Sequence, residues 1–228
     1  GLGYGEAPIR AMEDYIRKEF DLVVCHAGGY GEFAMDYVKQ GKTGNTMILF
    51  NRYAEKKEEL SPNKMASYLF EAHVSTYPAG YLAGLMTKKN VVGLVQSVET
   101  DTNWLRQSAA FAQGLKAANP RAKLLFAIVG SYEDPAKAKE FTLAQIGLDA
   151  DVIACWGDGT SFGTMDACSE NGVWFIDDIG DKRAIDTKGI LLTSVIWDFS
   201  VPYDQAVIDI YAGEFGTTWY HQTSANRG

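Results

Sequence analysis

The chain has 228 residues, of which 46% are hydrophobic and 22% charged, and its formal net charge is −8. This composition is typical of a folded globular protein and excludes a disordered chain. The negative charge disfavours a nucleic-acid or anionic-membrane surface, since both need clustered lysine and arginine. Three cysteines cannot form a closed set of disulfides, and they do not indicate a compartment.

Short apolar runs alternate along the chain with segments of helical spacing. The runs are apolar throughout rather than at every second residue, which predicts parallel strands covered on both faces. Strands are predicted at 21–28, 45–51, 91–97, 123–130, 151–157, 172–178 and 189–197. Helices are predicted near 6–19, 31–40, 63–87, 103–118, 134–147, 160–171 and 201–213. The fold class is therefore α/β with a doubly wound architecture.

The spacing of these elements indicates two Rossmann-like lobes with parallel sheets. A long polar-to-helical passage, residues 52–90, ends one series of elements, and a new series begins at Val91. We expect residues 1–90 with 191–228 to form the first lobe and 91–190 the second, joined by at least two chain crossings. The first helix begins without a preceding strand, so we expect the first strand and an N-terminal piece to be missing. Ligands bind beyond the carboxyl ends of such strands, which predicts a site in the cleft between the lobes.

One motif supports an enzymatic alternative. Residues 159–163 read Gly-Thr-Ser-Phe-Gly, the G-x-S-x-G spelling of a hydrolase nucleophile elbow. Ser161, Asp178 and His221 follow in the chain order of a hydrolase triad, and the glycine-rich run at 26–31 resembles an oxyanion loop. This gives an α/β-hydrolase-like esterase that uses Ser161 as the alternative function.

Two features weigh against the esterase alternative. A nucleophile elbow requires the strand to run almost directly into the nucleophile, but Gly157, Asp158 and Gly159 intervene here and leave the turn relaxed. Strain is what exposes a nucleophile. His221 lies in a polar tail with no predicted strand before it to orient its ring. The motif has a plainer explanation, in which Thr160 or Ser161 caps the following helix and the glycines let backbone N–H groups face a ligand.

Other catalytic and cofactor sites find no support. The histidines, at 26, 73 and 221, are scattered, and no H-x-x-x-H or C-x-x-C pair occurs, so we expect no metal site. Neither a P-loop nor a dinucleotide fingerprint is present. We therefore expect no catalytic residue and no cofactor.

The residues near the ends of the predicted strands favour binding. Many are aromatic or carboxylate side chains, and the candidate ligand-binding residues are Gly29, Tyr30, Asn51, Trp104, Tyr132, Trp156, Gly157, Asp158, Asp178, Asp181 and Trp197. Aromatic rings stack on a planar ligand, while carboxylates accept hydrogen bonds from hydroxyl or ring N–H groups. A nucleoside has both features. The alternative for each aromatic residue is a packing role in the core or at its rim.

The chain resembles a known family in several ordered blocks. These are residues 77–97, 111–120, 130–140, 148–163, 171–182 and 191–216. They are similar to successive blocks of the basic-membrane-protein, or PnrA-like, family of substrate-binding lipoproteins of bacterial ABC importers. The resemblance implies a type I periplasmic-binding-protein fold, with two lobes joined by a multi-strand hinge that close over the ligand. It also implies an extracytoplasmic, non-enzymatic protein that delivers nucleosides or related purines to permease and ATPase subunits, with a lipid anchor on the missing N-terminal piece.

The resemblance also implies roles for individual residues. Tyr30 would stack on the base, Trp156 and the two residues after it would line the second lobe, and Asp178 or Asp181 would hold ribose hydroxyls. Trp197 departs from the family pattern, which often has a lysine there. A purine nucleoside or nucleobase is the preferred ligand, while a flavin or a sugar stays open. A ligand sensor with the same fold is a further alternative.

Overall fold

The chain forms two compact units. The computed structural model describes residues 6–26, 30–51, 61–100, 102–217 and 220–222. The first unit combines the chain up to Phe70 with Asp198–Gln222, and the second contains Glu71–Trp197. The first change of unit, after Phe70, lies about twenty residues before the predicted boundary at 90. The second, after Trp197, lies a few residues after the predicted boundary at 190.

The first unit is built on a four-stranded parallel sheet in the order β1-β2-β3-β9. Its strands are β1 (Leu22–Cys25), β2 (Met47–Asn51), β3 (Met65–Phe70) and β9 (Tyr220–Gln222), and its helices are α1 (Glu6–Arg17), α2 (Gly31–Lys39) and α7 (Ser200–Ala212). Ile48 and Phe50 of β2 are fully buried and pack with Val23 and Met35. Burial of this apolar central strand is what holds the flanking elements to the sheet.

The second unit contains a five-stranded parallel sheet in the order β5-β4-β6-β7-β8. The strands are β4 (Val91–Gln96), β5 (Lys123–Ile128), β6 (Val152–Trp156), β7 (Trp174–Ile179) and β8 (Leu191–Ile196). Helices α3 (His73–Met86) and α4 (Thr102–Ala118) cover one face, and α5 (Pro135–Gly147) and α6 (Thr160–Asn171) cover the other. No helix among the described residues is long and apolar enough to cross a membrane.

The predicted α/β class with parallel sheets is confirmed, but two elements differ from the prediction. The single helix predicted over 63–87 is wrong, because its first part forms β3 before α3 begins. All six side chains of β3 are buried, so tertiary burial overrides the helical spacing. The polar tail expected around His221 is also wrong, because Tyr220–Gln222 pairs with β3 as strand β9.

Helices α3 and α4 cross at two glycines that no larger residue could replace without movement. A Cβ atom at Gly80 would lie 2.0 Å from the carbonyl oxygen of Phe111, and one at Gly114 would lie 2.0 Å from that of Tyr77. The close crossing assigns α3 to the second unit, where it buries Ala79 and Ala83 in the core shared with α4.

We expect Gly114→Ala to lower the free energy of unfolding by about 1–3 kcal/mol, because the added methyl group must push two helix backbones apart. Helix propensity alone would favour alanine by about 1 kcal/mol. A lower free energy of unfolding in Gly114→Ala would therefore identify the steric contact at the crossing as the cause. The control is Gly147→Ala, since a Cβ atom there meets no atom within 4 Å. Urea denaturation followed by circular dichroism gives both values, and equal stability of Gly114→Ala and wild type would contradict the crossing.

Candidate functional site

The candidate site lies at the carboxyl end of the second sheet, around Asp178. Asp177 and Asp178 follow one another in β7, and both are fully buried. Because successive side chains of a strand point to opposite faces, the two carboxyl groups lie on different sides of the sheet. The indole Nε1 of Trp197 donates a hydrogen bond of 2.8 Å to Oδ1 of Asp178.

An irregularity in β8 brings Trp197 to the face of Asp178. Phe175 pairs with Leu191, but Ile176 pairs with Thr193, so β8 contains one extra residue. After this bulge Asp178 lies beside Val195, and Trp197 is two residues further on the same face. Without the extra residue every later side chain of β8 would change face, and the indole would point away from the carboxyl group.

The protein surroundings of Asp178 disfavour its charged form. Burial raises the pKa of this carboxyl group to about 8, the negative charge of Asp177 also raises it, and bonds from the Ile179 amide and the Trp197 indole oppose the rise. Burial likewise raises the pKa of Asp177, to about 6, while its ion pair with Lys182 lowers it. No such cation pairs with Asp178 among the described residues, and a ligand that donates hydrogen bonds would stabilise the charged form of this acid.

One further buried polar group, the amide of Gln107, lies near this carboxyl group. The side chain of Gln107, in α4, is fully buried, and its interaction with Asp178 lowers the pKa of the acid slightly. Among the described residues, neither amide atom of Gln107 nor Oδ2 of Asp178 has a hydrogen-bond partner of standard geometry. Buried polar groups are nearly always hydrogen-bonded, so both groups are suited to bind the hydroxyl groups of a small molecule.

The GTSFG turn lies on the opposite face of β7 from Asp178, where its side chains have a structural role. Ser161 is fully buried in the first turn of α6, and its hydroxyl donates to the carbonyl oxygen of Asp158 at 3.0 Å. A buried hydroxyl with its hydrogen committed to a main-chain carbonyl is not presented to a substrate. The side chain of His221 lies outside the described part of the structure.

The first unit carries an aromatic cluster at the carboxyl edge of its sheet that the sequence analysis did not identify. The cluster consists of His26, Tyr68, Phe70, Phe199 and Tyr203. The ring centroids of His26 and Phe199 are 4.3 Å apart, and those of Phe70 and Phe199 are 4.8 Å apart. The sequence signal that could have found this cluster is position along the chain, because His26 lies near the end of the first predicted strand and Phe199 and Tyr203 follow the last one.

The structure brings several predicted ligand residues of the second unit together. Trp197 contacts Asp178, while Trp104 and Tyr132 lie near each other with ring centroids 5.2 Å apart. Asp181 is exposed and pairs with Arg183, whose hydrogen bonds lower the pKa of the acid. Of the two aspartates that the family resemblance left open, Asp178 is therefore the buried one.

The turn after β6 combines packing and exposed residues. Trp156 is fully buried against Phe111, with the rings edge to face at 5.5 Å, so the structure places it in the core. A Cβ atom at Gly157 would lie 1.8 Å from the hydroxyl oxygen of Ser97, which explains the glycine by close packing. Asp158 follows on the surface.

The predicted residues of the first unit lie along one edge of its sheet. Tyr30 precedes the first turn of α2 and packs partly against the core, 5.8 Å from the ring of Phe33. Asn51 ends β2, and its amide donates to the carbonyl oxygen of His26 at 3.0 Å. Gly29 lies outside the described residues.

Comparison with protein families identifies one match over nearly the whole chain. The family model described as ABC transporter substrate-binding protein PnrA-like matches residues 4–223. The curated relatives that the chain matches are longer, and the chain spans about 58% of their length. One of them, "Transcriptional activator protein med" from Bacillus subtilis, is 22% identical over 195 residues, which cover 86% of this chain.

Solved structures of similar fold include components of transport systems. An ABC transporter solute-binding protein from Conexibacter woesei is 25% identical, with a TM-score of 0.74 over 96% of this chain and 71% of that one. The arabinose-binding component from Shewanella sp. ANA-3, bound to L-arabinofuranose, is 16% identical, with a TM-score of 0.65 over 96% of this chain and 76% of that one. These folds are those of substrate-binding proteins, which are not enzymes.

The raised pKa of Asp178 predicts that its contribution to folding changes with pH. An unfolded aspartate titrates near pH 4, so between about pH 4 and 8 only the unfolded state readily loses this proton, and stability falls as pH rises. Asp178→Asn removes this contribution. We expect the stability of the variant relative to wild type to increase from pH 5 to pH 8, by at most about 1.4 kcal/mol per pH unit.

Urea denaturation at several pH values measures this difference. The control Asp149→Asn removes a carboxylate whose side chain is 73% exposed, and its stability relative to wild type should not rise in this way. Parallel pH profiles for wild type and Asp178→Asn would show that the carboxyl group is not held in its neutral form.

Proposed function

We propose that this chain, which belongs to the PnrA-like family of ABC transporter substrate-binding proteins, binds a purine nucleoside and delivers it unaltered to a permease. The observation that carries the proposal is the buried carboxyl group of Asp178: one oxygen accepts a hydrogen bond from Trp197, and the other has no partner of standard geometry among the described residues. Membership in a family of binding proteins supports the same conclusion. The position of Asp178 also supports it, because this polar group is buried at the edge of the sheet where ligands bind in such folds.

The second unit is suited to the sugar half of a nucleoside. In its charged form Asp178 accepts hydrogen bonds through Oδ2, and the amide of Gln107 both donates and accepts, so together they match neighbouring hydroxyl groups on a furanose ring. The related fold from Shewanella binds L-arabinofuranose, which supports recognition of a five-membered sugar ring. Hydrogen bonds from the ligand hydroxyls would stabilise the charged form of Asp178. They would also replace water at a buried oxygen atom that is costly to leave without a hydrogen-bond partner.

The first unit is suited to the flat base. Its ligand edge carries the imidazole of His26, the ring of Phe199 and, at the start of α2, Tyr30. Stacking of a base on an aromatic side chain contributes about 1–3 kcal/mol per base and tolerates different bases. Trp156 is a core residue, so the rings of the first unit carry the proposed stacking.

Transport also requires partners and a location. Membership in an ABC substrate-binding family supports an extracytoplasmic protein that docks on a permease powered by ATPase subunits. Closure of the two lobes over the ligand, which the family resemblance implies, stays a prediction. Such closure is driven only by interactions that the ligand makes more strongly in the closed state.

Isothermal titration calorimetry with inosine, adenosine and L-arabinose tests the proposed ligand class. We expect wild type to bind at least one nucleoside more tightly than arabinose. Asp178→Asn should weaken that binding about 10–100-fold, because a hydrogen bond to a charged group contributes about 1.5–3 kcal/mol. Mass spectrometry of small molecules that co-purify with the protein gives an independent identification.

Two controls separate ligand recognition from general damage. Asp181→Asn removes an exposed carboxylate three residues away and should leave affinity within about twofold of wild type. Far-ultraviolet circular dichroism should be unchanged in both variants. Binding of arabinose but of no nucleoside would replace the nucleoside by a free sugar as the ligand.

A ligand sensor is a second candidate, favoured by one observation. The Bacillus subtilis relative is named as a transcriptional activator, so the family fold is found in a protein with a regulatory name. A sensor would use the same ligand edges but pass the change of state to a regulator rather than to a permease.

Genetic deletion distinguishes the importer from the sensor. Loss of the gene should abolish uptake of radiolabelled nucleoside if the protein serves an importer, and the Asp178→Asn allele should reproduce the defect. If uptake is unchanged while transcript levels respond to the nucleoside only in the wild type, the sensor function is established instead.

A further inference from the structure

His26 is held in place at the carboxyl edge of the first sheet by its neighbours on two strands. It directly follows β1, and its main-chain carbonyl oxygen accepts hydrogen bonds from the hydroxyl of Tyr68 and the amide of Asn51, each at 3.0 Å. Tyr68 stands on β3 and Asn51 on β2. The main chain at His26 is therefore fixed to the sheet.

The imidazole ring of His26 is oriented from the side of α7. Its centroid lies 4.3 Å from that of Phe199 at an interplanar angle of 48°, and its Nδ1 atom forms a hydrogen bond with the hydroxyl of Tyr203. The residue is nevertheless exposed to solvent. In the described ranges no hydrogen bond to Nε2 is observed, so this nitrogen is available at the edge where parallel sheets bind ligands.

A count of hydroxyl hydrogens indicates which ring nitrogen carries the proton. Tyr68 has one hydroxyl hydrogen, and the carbonyl oxygen of His26 accepts it, since a carbonyl cannot donate. Tyr203 also has one hydrogen, which goes either to Tyr68 or to Nδ1 of His26. The two phenol oxygens are 3.2 Å apart, longer than the usual O–H···O range, which favours donation to Nδ1. Nε2 then carries the hydrogen of the neutral ring.

Desolvation supports this neutral tautomer. Partial burial against the aromatic cluster lowers the pKa of His26 below its usual value near 6.5. An accepting Nδ1 with a protonated Nε2 makes the ring a fixed hydrogen-bond donor, and a donor fixed before binding loses little entropy when a ligand arrives.

We propose that His26 is a specificity-determining residue that donates a hydrogen bond from Nε2–H to an acceptor atom on the planar base of the ligand, beside the ring of Phe199. A carbonyl oxygen or an unprotonated ring nitrogen is the expected acceptor: every purine base carries such ring nitrogens, and hypoxanthine and guanine also carry a carbonyl oxygen. The ligand class is thereby narrowed to flat heterocycles with an acceptor at the ring edge, because a sugar hydroxyl could accept the same hydrogen bond but has no flat ring to lie beside Phe199. This inference rests on the proposed function, since it concerns the base of the proposed ligand.

Three substitutions at one position separate the two ring nitrogens. His26→Ala removes both, His26→Asn retains a polar atom near the position of Nδ1, and His26→Gln retains an N–H donor near that of Nε2. We expect the affinity for inosine to fall about 3–10-fold in the alanine and asparagine variants, the effect of one neutral hydrogen bond. The glutamine variant should stay within about threefold of wild type. Binding of methyl β-D-ribofuranoside, which has no base, should be equal in all four proteins.

A second measurement reads the tautomer without any ligand. Nitrogen-15 NMR of the free protein should show His26 with a protonated Nε2 and an unprotonated Nδ1, the signal being assigned by its loss in His26→Gln. The opposite tautomer would overturn the proposal even if a variant at this position failed to fold.

The outcomes distinguish this inference from the proposed function. If wild type binds inosine and Asp178→Asn weakens it, but His26→Ala binds as wild type does, only the role of His26 is overturned. If wild type binds no nucleoside, the proposed function fails and the role of His26 fails with it. Near-wild-type affinity for inosine in His26→Gln, together with reduced affinity in His26→Asn, supports hydrogen-bond donation from Nε2.

Discussion

Burial of the Asp178 carboxyl group is the constraint on which the candidate site depends. Burial of a carboxyl group without a neighbouring cation is unfavourable. Among the described residues, hydrogen bonds from the Trp197 indole and the Ile179 amide offset only part of this unfavourable free energy. The arrangement is consistent with a binding site, because a group left partly unsatisfied in the protein gains most when a ligand supplies the missing donors. In a core that served packing alone, the same carboxyl group would only lower the stability of the fold.

The hydrogen bond from Trp197 determines the character of this site. An indole donates one hydrogen bond and fills space, but it does not neutralise the carboxylate. The adjacent Asp177 has the cation that Asp178 lacks, since Lys182 pairs with it on the other face of the sheet. Two neighbouring aspartates therefore differ in their electrostatics because a strand directs them to opposite faces.

The two units present different chemistry at their ligand edges. The second offers a carboxyl group and an amide, which suit hydroxyl groups, whereas the first offers aromatic rings with an oriented imidazole, which suit a flat heterocycle. A nucleoside combines these two halves in one molecule. The fold therefore provides the scaffold, and the side chains that follow each strand determine which ligand is bound.

Much of the architecture was readable in the sequence because burial on both faces leaves a direct mark on a strand. Uniformly apolar runs such as 151–157 predicted parallel strands, and the ordered family blocks predicted a substrate-binding fold. Strand β3 was not predicted, since MASYLF continues into a helical segment and only its tertiary burial distinguishes the two. Strand β9 was not predicted either, because three polar and aromatic residues form a strand only when β3 offers a partner.

The side-chain contacts of the site were decided by the tertiary structure. The sequence determined that Asp178 and Trp197 end two successive predicted strands, but one extra residue in β8 decides that they share a face. It determined that Trp156 ends a strand, while the packing of Phe111 decides that the ring belongs to the core. More than 170 residues of chain separate His26 from Phe199 and Tyr203, and no local pattern joins it to them. Composition and spacing act along the chain, whereas register, burial and contact depend on which strands and helices become neighbours in space.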